Sequence, residues 1–386
     1  MRILIAVHTY YPENDGVQAV TQYIAEGLAQ KGHEVLVMTN SLEDYPEQET
    51  HNGVSIERIC VHRNLFHKFV GEKNKYFARI KSYQPDVFVP VCTQSWPFDW
   101  IVNKLDKMKC KKVLYTHGYS EYELKYDFWG KIRRGQFGKA FNIILNKSYY
   151  SKVYRYIAKF DLVTYLHEKD KANLYAVNHG LTNGKMLGNA VEDRFFDGFS
   201  WGQKSSNKDG IIRFIYVAGY NEKKGQEMVL RAFYSADVEN TELIFCGQTR
   251  NAYYEHLLEI KKTLEIEYGS KRISLLYEKT REEIFDLYRK SDVYVCGSQI
   301  EAFSISLCEA MASGLACIST DVGHASTVDG VIITNTEEEM AIAIANIAEN
   351  KTERMEKAHL LKQYADTYCH RQRKVDWFEK ELSELI

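Results

Sequence analysis

Two acidic side chains, Glu301 and Glu309, stand eight positions apart in the stretch SQIEAFSISLCEAMASG, which covers residues 298–314. The preceding DVYVC alternates apolar and polar positions, a pattern that predicts a strand ending near Cys296. Apolar residues then recur at helical spacing from about Ser304 onwards, up to a terminal glycine. One acid therefore lies in a loop and the other on the helix that follows it.

This spacing suits an extended ligand. A helix rise of about 1.5 Å per residue puts Glu309 roughly 7 to 8 Å along the axis from the helix start. The two carboxylates are then too far apart to hold one atom, but they suit two parts of one molecule, with an anion site at the helix N-terminus between them. A sugar, a diphosphate and a ribose in a row fit this arrangement. Two solvated surface acids are the alternative, and the stretch alone leaves both open.

The size and charge of the chain exclude several classes. A chain of 386 residues predicts two domains of about 150 to 200 residues each. A net charge of −2 provides no overall basic footprint for nucleic acid. We find no window apolar enough for a membrane span and no signal-peptide pattern in MRILIAVHTYYP.

The eight cysteines contain no C-x-x-C pair. They are typical of reduced core residues, which favours the cytoplasm, and no His/Cys cluster has zinc spacing. We therefore expect no metal site of this kind.

The same element pattern occurs twice along the chain. RILIAV, VQAVTQYIAEGLAQKG and HEVLVMT predict a strand, a helix and a strand, and after the polar WGQKSSNKDG a similar series restarts at IIRFIYVAG. Such units form parallel sheets, so we expect an α/β fold of two doubly wound Rossmann-like domains facing a central cleft. The expected domains are 1–195 and 205–365, with a C-terminal helix at about 370–386 packing back on the first.

Four separated segments carry a family resemblance. They are PENDGVQAVTQYIAEGLAQKGHEVLVMT, VAGYNEKKGQEMVLRAF, the Glu-x7-Glu stretch continuing through EAMASGLACISTDVGH, and GNAVEDRFF. In this order the chain resembles the retaining glycosyltransferases of family 4, which have the GT-B fold. The resemblance spans almost the whole chain. It implies an N-terminal domain that binds the acceptor and a C-terminal domain that binds a nucleotide sugar.

The resemblance assigns roles to the opening stretch. It implies that Glu309 holds the ribose hydroxyls of the nucleotide and that Glu301 lies beside the donor sugar. The amides of Phe303, Ser304 and Ile305 would meet the sugar and the diphosphate at the helix N-terminus. Fixed positive groups there would stabilise the charge on a departing diphosphate.

Further positions match or depart from the family pattern. Lys224 matches its phosphate-binding lysine, but Gly219 stands where an arginine is common, and Lys223 would substitute as a less organised charge. His117 matches a histidine near the donor sugar; an ordinary histidine at a strand end is the alternative. Gly16 would allow close backbone approach, and an ordinary loop glycine is equally consistent. The candidate catalytic residues are thus Glu301, His117 and Lys224, and the candidate binding residues are Glu309, Phe303, Ser304, Ile305, Gly16 and Lys223.

No Asp-x-Asp triplet occurs in the chain, which argues against the metal-dependent single-domain class. We therefore expect a metal-independent reaction with no cofactor beyond the nucleotide-sugar co-substrate. Retention of anomeric configuration is implied by the family, and both a double displacement and a same-face route stay open.

A basic stretch, KIRRGQFGKAFNIILNKSYYSKVYRYIAK, covers residues 131–159 with eight Lys or Arg and no acid. Its interleaved tyrosines are typical of a helix on an anionic surface, so one hypothesis is peripheral membrane contact through 131–160, at the inner face, beside a lipid-linked acceptor. The alternative is a pair of connecting helices whose aromatics pack on the first domain.

The leading hypothesis is a cytoplasmic hexosyltransferase. It would move a sugar from a nucleotide diphosphate donor, with UDP favoured, to a glycan or lipid-linked acceptor in cell-surface polysaccharide or glycoconjugate synthesis. A non-catalytic binding subunit on the same fold is the alternative, motivated by Gly219. A nicotinamide-dependent oxidoreductase is disfavoured because neither HTYYPENDG nor AGYNEKKG contains G-x-G-x-x-G.

Overall fold

The computed structural model of the protein describes residues 1–13, 16–64, 68–119, 128–196 and 209–386. The chain divides into two compact units, the first formed by Met1–Gly188 with Gln372–Ile386 and the second by Asn189–Arg371. Each unit is built on its own largely parallel sheet, which confirms the α/β class with two doubly wound units.

The first unit contains an eight-stranded sheet and a separate hairpin. Its strands are β1 (Arg2–Ala6), β2 (Glu34–Asn40), β3 (Gln48–His51), β4 (Val54–Ile59), β5 (Val61–Arg63), β6 (Phe69–Gly71), β7 (Val87–Pro90), β8 (Lys111–Tyr115), β9 (Leu162–Tyr165) and β10 (Gly184–Met186). The sheet order is β10-β9-β8-β7-β1-β2-β4-β3, and neighbours are parallel except β3 with β4. Helices cover it: α1 (Gly16–Gln30), α2 (Lys73–Tyr83), α3 (Trp96–Ile101), a 3-10 segment (Val102–Lys107), α4 (Phe128–Arg133), α5 (Phe137–Ile157) and α6 (Lys171–Asn178).

The second unit contains a six-stranded, fully parallel sheet. Its strands are β11 (Ile212–Val217), β12 (Thr241–Cys246), β13 (Arg272–Leu276), β14 (Val293–Cys296), β15 (Ala316–Ser319) and β16 (Ile332–Ile333), in the order β13-β12-β11-β14-β15-β16. Its helices are α7 (Gln226–Ser235), α8 (Ala252–Tyr268), α9 (Arg281–Lys290), α10 (Ile305–Ala312), α11 (Glu337–Glu349) and α12 (Lys351–Tyr368).

Side-chain caps begin several of these helices. Asn251 caps α8, Thr280 forms a capping box with Glu283 at α9, and Ser304 caps α10. Each cap satisfies backbone N–H groups that the first helical turn leaves without a partner. The caps therefore set where α9 and α10, which carry candidate site residues, begin.

The order of the second sheet reverses between β11 and β14. Loops that follow the two strands at such a point leave the sheet in opposite directions and open a crevice at the carboxyl edge. Lys224 follows β11, and Glu301 follows β14. The topology therefore brings residues 77 positions apart to one place.

The last helix, α13 (Arg371–Leu385), packs on α1 and β8 within the first unit. A Cβ atom on Gly27 would lie 2.5 Å from a methyl group of Val375, so the absence of a side chain there lets the helices approach closely. Phe378 is fully buried, with its ring centroid 5.7 Å from that of Tyr115. In the described residues, no helix is both long and apolar enough to cross a membrane.

Phe378→Ala is expected to destabilise the first unit by about 3 kcal/mol, because it empties a fully buried aromatic site. Urea unfolding followed by the fluorescence of the buried Trp96 and Trp100 measures the change. Ile266→Ala is the control, since Ile266 is 88% exposed in the second unit, and its transition should match the wild type. An unshifted transition for Phe378→Ala would contradict the packing of α13.

Candidate functional site

Lys224 and Glu301 form an ion pair in the crevice between β11 and β14, with 2.6 Å between Nζ and Oε1. The hydroxyl of Ser298 donates to the same carboxylate oxygen at 2.9 Å. Tyr216, buried in β11, contacts Ser298 Oγ at 2.8 Å and donates to the carbonyl oxygen of Lys224 at 2.6 Å. The structure thus joins two residues that the sequence predicted and adds Ser298 and Tyr216, which sequence reasoning missed.

Two glycines let the loops meet. Gly225 has a φ of +60°, and a Cβ atom on it would lie 1.9 Å from the carbonyl oxygen of Gly297. A Cβ atom on Gly297 would lie 2.5 Å from the carbonyl oxygen of Gly225. A backbone hydrogen bond from Gln299 to Lys223, at 2.8 Å, closes the contact. Any side chain at either glycine would push the loops apart and separate the ion pair.

The start of α10 presents backbone N–H groups beside this pair. The Ser304 hydroxyl accepts the N–H of Leu307 at 3.2 Å, and within the described ranges the amides of Ser304 and Ile305 donate to no protein group. Phe303 stacks on the buried His324, with ring centroids 3.8 Å apart and planes at 9°. Such a helix start favours an anion. The contacts of Phe303, Ser304 and Ile305 with a ligand stay a prediction.

Glu309 is buried on α10, with 3% of its surface exposed, and its carboxylate pairs with the guanidinium of Arg281. Burial raises the pKa of Glu309, and the attraction of Arg281 opposes that rise. Arg281 also donates from Nε to Glu192 at 2.6 Å and lies over the ring of Phe195, 4.9 Å from its centroid. Arg281 therefore lies between two acids, and its attraction favours the charged form of the buried Glu309 carboxylate.

This arrangement suits the binding of a diol. An ionised carboxylate offers two acceptor oxygens, and a ribose presents two adjacent hydroxyl donors. The motif spacing did not reveal Arg281 or Glu192. A signal was present, because Arg281 opens α9, and a cation in the first turn of a helix opposes the helix dipole. This unfavourable interaction with the helix dipole is a hint that the partner of Arg281 lies elsewhere in the fold.

The candidate residues of the first unit lie at the carboxyl edge of its sheet. His117 follows β8 by two residues and is half-buried, with its ring 4.6 Å from that of Tyr115 in a stacked arrangement. Gly16 begins α1, and a Cβ atom on it would meet no described atom within 4 Å. No close packing in the described chain therefore requires glycine at 16, and the roles of both residues stay predictions.

Gly219, which departs from the family pattern, and Lys223, its suggested substitute, are not closely packed. Lys223 is exposed beside Lys224. A Cβ atom on Gly219 would meet no described atom within 4 Å, so there is room for a larger side chain at that position. The missing arginine therefore has no steric cause among the described residues.

The basic stretch folds into α4 and α5, and its tyrosines face the protein. Tyr149 donates to Asp99 at 2.9 Å, Tyr150 is buried, and Tyr154 stacks on His179 with centroids 4.6 Å apart. The suggestion that these rings face an anionic surface is wrong, because they fill the core beside α6. The exposed apolar residues of this region are instead Trp129, Phe137, Phe141, Ile144 and Leu145.

Comparisons with known proteins agree with this geometry. Residues 200–367 match the family described as Glycosyl transferases group 1, and residues 14–177 match Glycosyltransferase Family 4. An uncharacterized glycosyltransferase of Methanocaldococcus jannaschii is 22% identical over 338 residues, which cover 84% of this chain and 81% of the relative.

Solved structures with a similar fold match over the whole chain, and two examples follow. The sucrose-phosphate synthase of Thermosynechococcus elongatus has a TM-score of 0.73 at 13% identity, covering 100% of this chain and 98% of its own. HepE of Anabaena, solved in complex with UDP, has a TM-score of 0.73 at 16% identity and covers 100% of both chains. These likenesses confirm the GT-B fold with its two Rossmann-like domains.

Arg281→Gln is expected to lower the free energy of unfolding by about 2 kcal/mol at neutral pH, because it leaves the buried Glu309 without a cation. Burial raises the pKa of Glu309, and removing the guanidinium raises it further, so the loss is fully present only above the pKa that Glu309 has in the folded variant. It shrinks as the pH falls, because the folded protein then takes up a proton at Glu309. Urea unfolding at pH 5 and pH 8 measures both values.

The double variant Arg281→Gln/Glu309→Gln is the control for this pair. It removes the charge that needed the arginine, so most of the lost stability should return. Glu192 keeps a cation in the double variant, since Arg194 lies 2.7 Å from it. Equal losses in the single and double variants would show that the ion pair is not what Arg281 contributes.

Proposed function

The chain belongs to glycosyltransferase family 4, and from that premise we propose that it transfers a sugar from a UDP-sugar donor with retention of anomeric configuration. The proposed acceptor is a glycan or lipid-linked glycan, in cell-surface polysaccharide or glycoconjugate synthesis. One observation carries the donor proposal, namely the order of three groups along the loop after β14 and the helix α10. Glu301 in the loop pairs with Lys224, the first N–H groups of α10 follow, and the buried Glu309 lies further along the same helix.

The proposed reaction uses these groups in sequence. The bond from the anomeric carbon to the diphosphate breaks, and its electron pair leaves with the diphosphate. The oxygen of an acceptor hydroxyl forms the new bond, and its proton passes to the departing phosphate. Lys224 has three N–H donors and uses one on Glu301, so two stay available for the growing negative charge, together with the helix start. Glu301 would contact the sugar hydroxyls.

Uridine is the proposed base. HepE of Anabaena was solved with UDP and also with UDP-glucose, and the second structure covers 100% of this chain with a TM-score of 0.69. We propose that the reaction needs no metal ion, with Lys224 and the helix start in the role that a metal would take. A cytoplasmic location is part of the proposal, supported by eight free cysteines, five of them buried.

UDP is expected to bind the purified protein more tightly than GDP, with equal affinity in the presence of a chelator. Glu309→Gln should weaken UDP binding about 10- to 100-fold, because two hydroxyl hydrogen bonds to a charged acceptor are lost. Isothermal titration calorimetry measures these affinities. Glu338→Gln is the control, since Glu338 is an exposed acid on α11 and should bind UDP as the wild type does.

The same titration tests the non-catalytic alternative, for which Gly219 is the specific observation. If the folded wild type binds neither nucleotide and Gly219→Arg restores UDP binding, the missing arginine has removed donor binding and the proposal fails. Turnover of UDP-glucose by the wild type would support the transferase. The coupling constant of the anomeric proton in the product then decides retention against inversion.

We also propose peripheral membrane contact through residues 131–160. On α5, the residues Phe137, Phe141, Ile144 and Leu145 follow one another at i, i+4, i+7 and i+8 and are 40% to 66% exposed. This spacing puts them on one helix face, and Trp129 of α4, 71% exposed, adds a fifth apolar side chain. Exposed cations flank the row, among them Arg133, Arg134 and Lys147. An apolar row with flanking cations suits an anionic bilayer surface.

Phe141→Glu/Ile144→Glu is expected to abolish sedimentation with vesicles that contain phosphatidylglycerol, because the change puts two anions into the apolar row. Ile266→Glu is the control, since it adds an anion at an exposed apolar position of the second unit. The wild type is expected to bind these vesicles and not to bind vesicles of pure phosphatidylcholine. Retained binding of the double variant would rule out this face.

A further inference from the structure

A cavity of about 810 Å³ opens at the amino edge of the first sheet. Its walls come from α2, the end of α3, the segment Val102–Lys107 and the loops that enter β7 and β8. His117 lies at the opposite edge, six residues beyond the cavity residue Lys111, which is about 20 Å along an extended strand. Ligands of doubly wound sheets bind at the carboxyl edge, so this cavity is a separate feature. Its volume lies in the range of small-molecule sites.

The inner wall of the cavity is apolar. It is formed by Phe77 and Ile80 of α2, with Ile101 and Met108 facing them from the other side. Lys104 crosses this wall with its ammonium 3.4 Å from the centre of the Phe77 ring, so its hydrocarbon stem lies along apolar surface. A ligand that places hydrocarbon against this wall would therefore gain binding free energy from the burial of apolar surface.

The lining residues are strongly unbalanced in charge. They contribute one acidic side chain, Asp86, which accepts the backbone N–H of Arg2 at 2.6 Å. They contribute six cationic ones, namely Arg2, Lys81, Lys104, Lys107, Lys109 and Lys111. Within the described chain, none of these five lysines forms an ion pair. The whole chain has a net charge of −2, so this concentration of positive charge is local.

An apolar wall with a cationic rim selects its occupant. A free phosphate or a nucleic-acid backbone would use the lysines but leave the wall in water. A neutral apolar molecule would fill the wall but leave the lysines without counter-charges. We propose that the cavity binds an anionic phospholipid, with the phosphate among the lysines and the first carbons of one chain against Phe77, Ile80 and Met108.

The surface beside the cavity supports a membrane lipid as the occupant. The segment Val102–Lys107 supplies two of the lysines. Its Asn103 accepts a hydrogen bond from Tyr156, in the last turn of α5, at 3.4 Å, and its Asp106 forms an ion pair with Lys159, two residues beyond the end of that helix. Exposed Lys152 and Arg155 continue the basic surface along α5. The cavity therefore adjoins the basic end of the helix whose other end carries the apolar row. All lining residues of this cavity lie in the first unit, so its occupant is independent of the proposed transfer reaction.

Cys110 lines the cavity and makes a direct test possible. The protein is incubated with a 12-carbon lysophosphatidic acid below its micelle concentration and then alkylated, and mass spectrometry measures modification at each cysteine. Cys110 should be modified about tenfold more slowly at a lipid concentration ten times the dissociation constant. The exposed Cys60, in the same sample, should be unaffected.

Two further ligands and two variants sharpen the result. A 12-carbon lysophosphatidylcholine has the same acyl chain but no net charge, and inorganic phosphate has the charge but no acyl chain. Neither ligand should protect Cys110 at the same concentration. Lys104→Glu/Lys107→Glu should abolish protection by the anionic lipid, whereas Lys147→Glu/Lys152→Glu on α5 should preserve it. Absence of protection in the wild type, equal protection by all three ligands, or protection that survives Lys104→Glu/Lys107→Glu would overturn the proposal.

Discussion

The close backbone contact between Gly225 and Gly297 is the constraint on which the candidate site depends. Gly225 ends the loop that follows β11, and Gly297 begins the loop that follows β14, at the point where the sheet order reverses. A Cβ atom on either would collide with the facing carbonyl oxygen. Because the loops meet here, Lys224 reaches Glu301 and the start of α10 follows immediately. The arrangement of the reactive side chains thus depends on two glycines, which have no side chain themselves.

A second constraint is electrostatic. The second unit buries the carboxylate of Glu309, where a lone charge would be expensive, and the guanidinium of Arg281 compensates it. Arg281 in turn is shared with Glu192, in the segment that enters the second unit. The ion pair fixes the orientation of the Glu309 carboxylate, and the arginine favours its charged form against the effect of burial. Removing one partner of such a pair would leave an uncompensated buried charge, so the two side chains depend on each other.

The first unit distributes its distinctive surfaces around one sheet. Its carboxyl edge carries His117, the outer face of α5 carries an apolar row, and its amino edge carries the lysine-rimmed cavity. The central strands β1, β7 and β9 are buried, so they are similarly apolar, and the variation lies in the loops and helices around them. The C-terminal helix completes this unit by filling the space beside Gly27 and Tyr115.

Local patterns in the chain were enough to predict central parallel strands of both sheets, the end of β14 at Cys296, the loop position of Glu301 and the start of α10 beside Ser304. They were enough because strand alternation, helical spacing and caps act over a few residues. Local patterns did not predict four other features: the partner of Glu309, the contact of Gly297, the inward tyrosines of α5 and the cavity at the amino edge. Each joins segments 25 or more residues apart, such as Tyr150 and Tyr175, and depends on which strands pair and which helix faces meet. Packing of that kind arises from the sum of many weak contacts, and no short stretch of sequence records it.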